Sequence, residues 1–139
     1  MSNVSDAIAM TAFGRTWIVM LDDSRAQFYR REPSGSLVEE MPALASGLRD
    51  AAAYKPDERR NERQAFLRAV MAALDGACDK NQCDRILVVA PERMLGAFRR
   101  AASDKVRARL WREMAVEMGN ASAGELEKRL APHFNQPGS

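Results

Sequence analysis

Arg85-Ile86-Leu87-Val88-Val89-Ala90 decides the fold of this chain. Its apolar residues run without alternation, the pattern of a strand covered on both faces, as strands of a parallel sheet are. A parallel partner is reached only through a crossover, and the segment just upstream supplies its helix. Phe66, Leu67, Val70, Met71, Leu74 and Cys78 keep the i, i+3, i+4 spacing of one buried helical face. Asp57 stands where it can cap that helix, and Gly76 with the Asp79 to Asp84 segment is expected to end it. Strand, helix and strand then imply a right-handed crossover.

Nearer the N-terminus, Thr16 to Leu21 (Thr-Trp-Ile-Val-Met-Leu) reads as a second strand buried on both faces, closed by the turn formers Asp22, Asp23 and Ser24. Arg25 to Arg31 returns antiparallel, and Ser36 to Met41, after the Pro33-Ser34-Gly35 turn, completes a three-stranded meander. Residues 42–56 show no period and are expected to form a loop. Downstream, Pro91 opens a helix with the apolar stripe Met94, Leu95, Phe98 and Ala102. Val106 to Met118 reads two ways. Leu110 to Val116 fits a strand with Leu110, Arg112, Met114 and Val116 on one face, and it also fits continued helix; the strand is preferred. Ser122 caps a last helix with Glu125 at its third position, and Leu126 and Leu130 pack it down. The expected fold class is α/β, a single mixed sheet (a three-strand antiparallel meander plus parallel strands) with helices on both faces, in a ribonuclease H-like layout. The domain is expected to span 15–131, between flexible tails at 1–14 and 132–139.

With 139 residues, 46% of them hydrophobic and 29% charged, the chain has the composition of one ordinary globular domain. A net charge of +2 does not argue for wholesale binding to nucleic acid or membrane. The longest apolar run is far shorter than the roughly 20 residues that span a bilayer, so no membrane insertion is expected. The first residues lack the pattern of a secretory signal, so a cytoplasmic location is expected. Cys78 and Cys83 read as reduced thiols at a helix end.

Asp22 and Asp23 end the first strand, where a ribonuclease H-like nuclease would need a carboxylate for divalent metal. Turn chemistry accounts for both residues more simply. Pro91-Glu92-Arg93 occupies the carboxyl end of a parallel strand and the start of a helix, a place that favours anions. Asp22, Asp23, Arg25, Glu92 and Arg93 are therefore the candidate ligand-binding residues. Charge is uneven: Arg93 to Arg112 carries seven cations against Asp104 alone. Arg99, Arg100, Lys105, Arg107 and Arg109 are the candidates for nucleic-acid contact, weighed against a solvated helical face. His133, the single histidine, has no partner for a triad, and two cysteines with one histidine fall short of a zinc site. No catalytic residue, metal or cofactor is expected.

Two segments resemble a known family. Trp17-Ile18-Val19-Met20-Leu21-Asp22-Asp23-Ser24-Arg25-Ala26-Gln27-Phe28-Tyr29 is similar to the opening hairpin of the bacterial host attachment family, described as proteins required for attachment to host cells. Arg85 to Arg99, with Ala90-Pro91-Glu92 and Leu95-Gly96, is similar to that family's strand, Ala-Pro-Pro, Leu-Gly, Leu-Arg signature, with Glu92 in place of the second proline and Phe98 in place of the leucine. Glu113 to Leu130 resembles its closing strand and helix, whereas Ala43 to Asp57 is shorter than the family's usual loop. The family is in turn similar to the middle domain of archaeal and eukaryotic peptide-chain release factors, which is ribonuclease H-like without the nuclease carboxylates; the Gly-Gly-Gln motif of that domain is absent here. The resemblance implies a non-enzymatic binding or regulatory protein, required for attachment indirectly. Its partner would be an unidentified protein, or RNA or the ribosome, with a divalent-metal nuclease as the third reading. The oligomeric state is not legible.

Overall fold

The computed structural model describes residues 15–45, 55–117 and 122–135. Strands β1 (Thr16–Leu21), β2 (Arg25–Arg31) and β3 (Leu37–Ala45) form the antiparallel meander. Helix α1 (Pro56–Asp79) crosses to β4 (Arg85–Ala90), and α2 (Glu92–Ala101) with α3 (Asp104–Arg109) leads to β5 (Leu110–Ala115). Helix α4 is Ala123–Asn135. The sheet order is β3-β2-β1-β4-β5, with β1 parallel to β4 and β4 parallel to β5, so the expected mixed sheet is present.

The uninterrupted apolar runs of β1 and β4 follow from their central place. Trp17, Val19, Ile86, Val88 and Ala90 face α1, α2 and α3, where Phe66, Leu74, Met94 and Phe98 complete the larger core. Ile18, Met20, Leu87 and Val89 face the other way and are covered by Leu126 and Leu130 of α4. Period-two side-chain alternation thus meets helices on both sides.

Five local expectations are corrected. Strand β3 runs on to Ala45, past Met41. It lies at the sheet edge, and its pairing shifts register between Ala26 and Tyr29, so exposed Pro42 sits at an irregularity where a missing N–H costs little. Lys55, and not Asp57, precedes the first turn of α1, and the Glu58 carboxylate accepts its backbone N–H at 3.1 Å. Gly76 lies inside α1. The helix ends at Asp79, in the other stretch expected to stop it, where Asn81 at a φ of 56° lets Gln82 N–H reach Ala77 O at 2.9 Å and Asn81 N–H reach Cys78 O at 3.0 Å. In β5 a register shift at Ile86/Leu87 turns Leu110 toward the larger core, while Met114 and Val116 meet α4, so the four residues do not share a face. The strand itself is present, preceded by a turn of helix whose Ser103 hydroxyl caps Val106 N–H. The fifth difference lies at the end: α4 continues through Pro132, and Phe134 packs against Trp111, so order extends past residue 131. Residues 1–14, 46–54, 118–121 and 136–139 lie outside the described residues.

Two ties join the start of β1 to the segment that precedes β4. Trp17 Nε1 donates to Gln82 O at 2.9 Å, and the Asp84 carboxylate accepts from Arg15 N–H at 2.8 Å and Arg15 Nε at 3.2 Å. Burial works against the Asp84 charge, but the Arg15 hydrogen bonds and charge outweigh it and hold the carboxyl below its ordinary value. A carboxyl depressed on folding contributes stability above its unfolded pKa, and loses it as pH falls through the folded one. Asp84→Asn is therefore expected to flatten the acid limb of the stability profile below about pH 4, measured by urea unfolding across pH, with little change in its shape near neutrality.

Candidate functional site

The carboxyl ends of β1, β4 and β5 lie side by side, and the expected edge site is assembled there in part. Asp23 follows β1, Arg93 lies in the first turn of α2 after β4, and Glu117 follows β5. Arg93 Nε and Nη2 donate to Asp23 Oδ2 at 3.0 and 2.7 Å, and Arg93 Nη1 donates to Glu117 Oε1 at 3.0 Å. One guanidinium thus ties three strand ends together. Both carboxylates and the arginine are spent on each other, which makes this edge a clasp.

The other edge candidates separate from it. Asp22 Oδ1 accepts from Ser24 N–H at 2.8 Å and Ser24 Oγ at 3.0 Å, holding the β1–β2 turn. Arg25 begins β2 and its carbonyl accepts Asp22 N–H at 3.0 Å. Glu92 stands exposed at the start of α2, where an acid suits the helix dipole. Among the described residues, no three His, Cys, Asp or Glu side chains are grouped to hold a metal ion. Asp23→Asn is expected to cost no more than about 1 kcal/mol in urea unfolding, because the clasp is partly solvated and its ions keep water as an alternative partner.

The basic segment is largely consumed by the fold. Arg99 Nε donates to both oxygens of Glu113 at 2.9 Å, and Lys105 Nζ donates to Asp79 Oδ1 at 2.5 Å. Arg107 Nη2 donates to Arg99 O at 3.1 Å. Arg109 donates from Nε to Cys83 O at 3.1 Å and from Nη1 to Lys105 O at 3.2 Å, capping α3. Cys78 and Cys83 are free and buried beneath it, and burial pushes the Cys83 thiol up to about 12, far from the thiolate range of reactive cysteines. Arg100 alone of the five nucleic-acid candidates makes no side-chain hydrogen bond or ion pair among the described residues.

Arg100 opens on a groove whose charge no single stretch of sequence carries. A cavity of about 520 Å³ lies between α1 and α2, lined by Arg60, Arg63, Gln64 and Arg68 from α1 and Arg100 from α2, with Leu67, Ala97 and Ala101. Four guanidiniums line it and no carboxylate does. Its volume falls in the range of small-ligand and side-chain pockets, roughly 300–1,000 Å³. Arg60, Gln64, Leu67 and Arg68 recur at i, i+4, i+7 and i+8, so the α1 stripe is visible in the sequence. Its opposite wall is visible only once α2 is packed. Arg63 joins groove and clasp, its Nη2 lying 3.7 Å from Asp23 Oδ1. Arg63 Nε is shielded from solvent and has no hydrogen-bond acceptor among the described residues.

Comparison with known proteins bears on what this arrangement serves. A family model described as "Protein required for attachment to host cells" matches residues 40–130. That span takes in the Arg85 to Arg99 signature and the closing strand and helix, and begins after the opening hairpin. Among solved structures, the archaeal translation termination factor aRF1 is similar at a TM-score of 0.55 and 9% identity, over 96% of this chain and 42% of that one. Dom34 of S. cerevisiae, a translation termination-like factor involved in RNA quality control and interacting with Hbs1, is similar at a TM-score of 0.57 and 10% identity, over 96% and 36%. A further archaeal protein reaches 0.60 at 10% identity, over 97% and 38%. The chain therefore spans about two-fifths of the length of these structures, and the likeness is one of fold. No curated protein sequence matches it.

Proposed function

Because the chain belongs to the family of proteins required for attachment to host cells, we propose that it serves attachment indirectly, as a non-enzymatic binding protein of the cytoplasm that engages an acidic protein partner. The observation that carries this reading is the groove between α1 and α2, with four arginines and no carboxylate on its walls. Guanidiniums of this kind recognise carboxylates with two parallel N–H donors, which gives direction as well as attraction. Asp23 pairs with Arg63 and Arg93, so cations hold this carboxylate. No helix among the described residues is long and apolar enough to cross a membrane.

A second reading, contact with RNA or the ribosome, is favoured by the fold shared with translation termination factors. The groove favours the first. Its floor is aliphatic, from Leu67, Ala97 and Ala101, and no aromatic ring lines it to stack a base.

The experiment is co-purification of the tagged protein from its own cells at low and high salt, with and without ribonuclease, beside an R60Q/R68Q/R100Q variant. A defined acidic protein, retained through ribonuclease and lost from the variant, is the expected result. Recovery of RNA or ribosomal subunits that ribonuclease abolishes would move the second reading ahead. Recovery unchanged in the variant would remove the groove from the account.

A further inference from the structure

A second arginine cluster lies on the face of the sheet covered by α4, at the opposite end of the central strands from the Asp23 clasp. Thr16, the first residue of β1, pairs with Arg31 on one side and Arg85 on the other. Arg112 lies beside Leu87 in β5, on the same face. The Arg85 guanidinium stands 3.8 Å from the centroid of the Trp111 ring and 5.6 Å from that of Phe134, and its Nε donates to Thr16 Oγ1 at 2.6 Å. Arg31 covers Phe134 at 3.9 Å, and Arg112 lies 4.8 Å from Trp111. The two rings are 5.2 Å apart and tilted by 50°. Four elements, β2, β4, β5 and α4, thus bring three guanidiniums around one pair of rings.

None of the three forms an ion pair with a carboxylate among the described residues. Ring faces offset part of the mutual repulsion, and one guanidinium on each ring would be enough to dock α4. Arg112 adds a third positive charge where two already lie. Burial, then the charges of Arg31 and Arg112, hold the Arg85 guanidinium below its ordinary value, as expected of cations gathered without an anion.

The chemistry of the missing anion follows from what stays open. The ring faces are taken by guanidiniums, so they are not free to stack a base. What remains is the N–H edges of planar guanidiniums whose orientation the rings and Thr16 restrict, an array suited to an oxyanion with several acceptor oxygens. We propose that Arg31, Arg85 and Arg112 form a phosphate-binding site, distinct from the α1–α2 groove, that takes the phosphate group of a phosphorylated ligand.

Trp111 reports on this site directly, because the chain's other tryptophan, Trp17, is fully buried on the opposite face. Tryptophan fluorescence is followed while sodium pyrophosphate is titrated against sodium chloride of equal ionic strength. The expected result is a saturable change with pyrophosphate alone, at least tenfold weaker in R31Q/R112Q and unaltered in R60Q/R68Q/R100Q. R31Q/R112Q leaves the Arg85 stack and its Thr16 hydrogen bond in place, and circular dichroism checks that it folds. Absence of a saturable response in the wild type, or the same response in R31Q/R112Q, would overturn the proposal. Competition by a nucleoside monophosphate or by a 5′-phosphorylated RNA oligomer then separates a small phosphorylated ligand from an RNA end as the source.

Discussion

In R60E/R68E/R100E, affinity for an acidic peptide is expected to fall at least a hundredfold. An exposed arginine–carboxylate pair contributes about 0.2–1 kcal/mol, and reversing the charge replaces attraction by repulsion of similar size. Three reversals at roughly 1 kcal/mol or more each sum to about 3 kcal/mol, which is two decades in the dissociation constant. Arg63 is left in place because it also approaches Asp23 at 3.7 Å, and its loss would confuse binding with the strand-end clasp. Arg60, Arg68 and Arg100 form no ion pair among the described residues, so the variant is expected to unfold within about 1 kcal/mol of the wild type. Titration with a poly-glutamate peptide reads the affinity, and R60Q/R68Q/R100Q should fall between the two. Salt should weaken wild-type binding strongly and leave little difference among the three proteins, since exposed charges are screened within about 10 Å at 0.1 M.

The largest effect on stability is expected at Phe98. This side chain is 1% exposed and fills the space between α2, α1 and the sheet, in the larger of the two cores. Phe98→Ala removes its apolar burial and leaves a void, for about 3–5 kcal/mol in urea unfolding. Against a domain stability of roughly 5–15 kcal/mol that is a large share, and it corresponds to a fall on the order of 10 °C in Tm. Val38→Ala, at the 37% exposed edge, should cost under about 0.5 kcal/mol and serves as the control. The two results are coupled through α2, which carries Phe98 inward and Arg100 outward. A loosened α2 is therefore also expected to weaken peptide binding in Phe98→Ala, before unfolding sets in.

The central sheet was legible in the sequence because β1 and β4 are buried on both faces, and that burial leaves continuous apolar runs which no other element here matches. The edge was less so. Strand β3 is half-exposed, pairs on one side only and shifts register along β2, so Pro42-Ala43-Leu44-Ala45 carries no period to read. The same holds at β5, where one register shift moves Leu110 off the face of Met114. Helix α4 outran its expected end because Pro132 signals a stop locally, while the packing of Phe134 on Trp111 and Arg31 is decided by tertiary neighbours. The pairing of Asp23 with Arg93 could be anticipated from adjacent parallel strands. The α1–α2 groove could not, because its charge is divided between helices whose own sequences also hold Asp57, Glu58, Glu62 and Glu92. The cation density of Arg93 to Arg112 points to Arg99, Arg100, Lys105, Arg107 and Arg109, and the fold uses all of these but Arg100 for itself.

Backbone amide NMR during titration with a poly-glutamate peptide decides whether the arginine groove is where this protein meets an acidic partner. Saturable shifts confined to residues 60–68 and 97–101, and abolished in R60E/R68E/R100E, are expected. Shifts that leave those two stretches untouched, or that persist in the variant, would contradict this role of the groove.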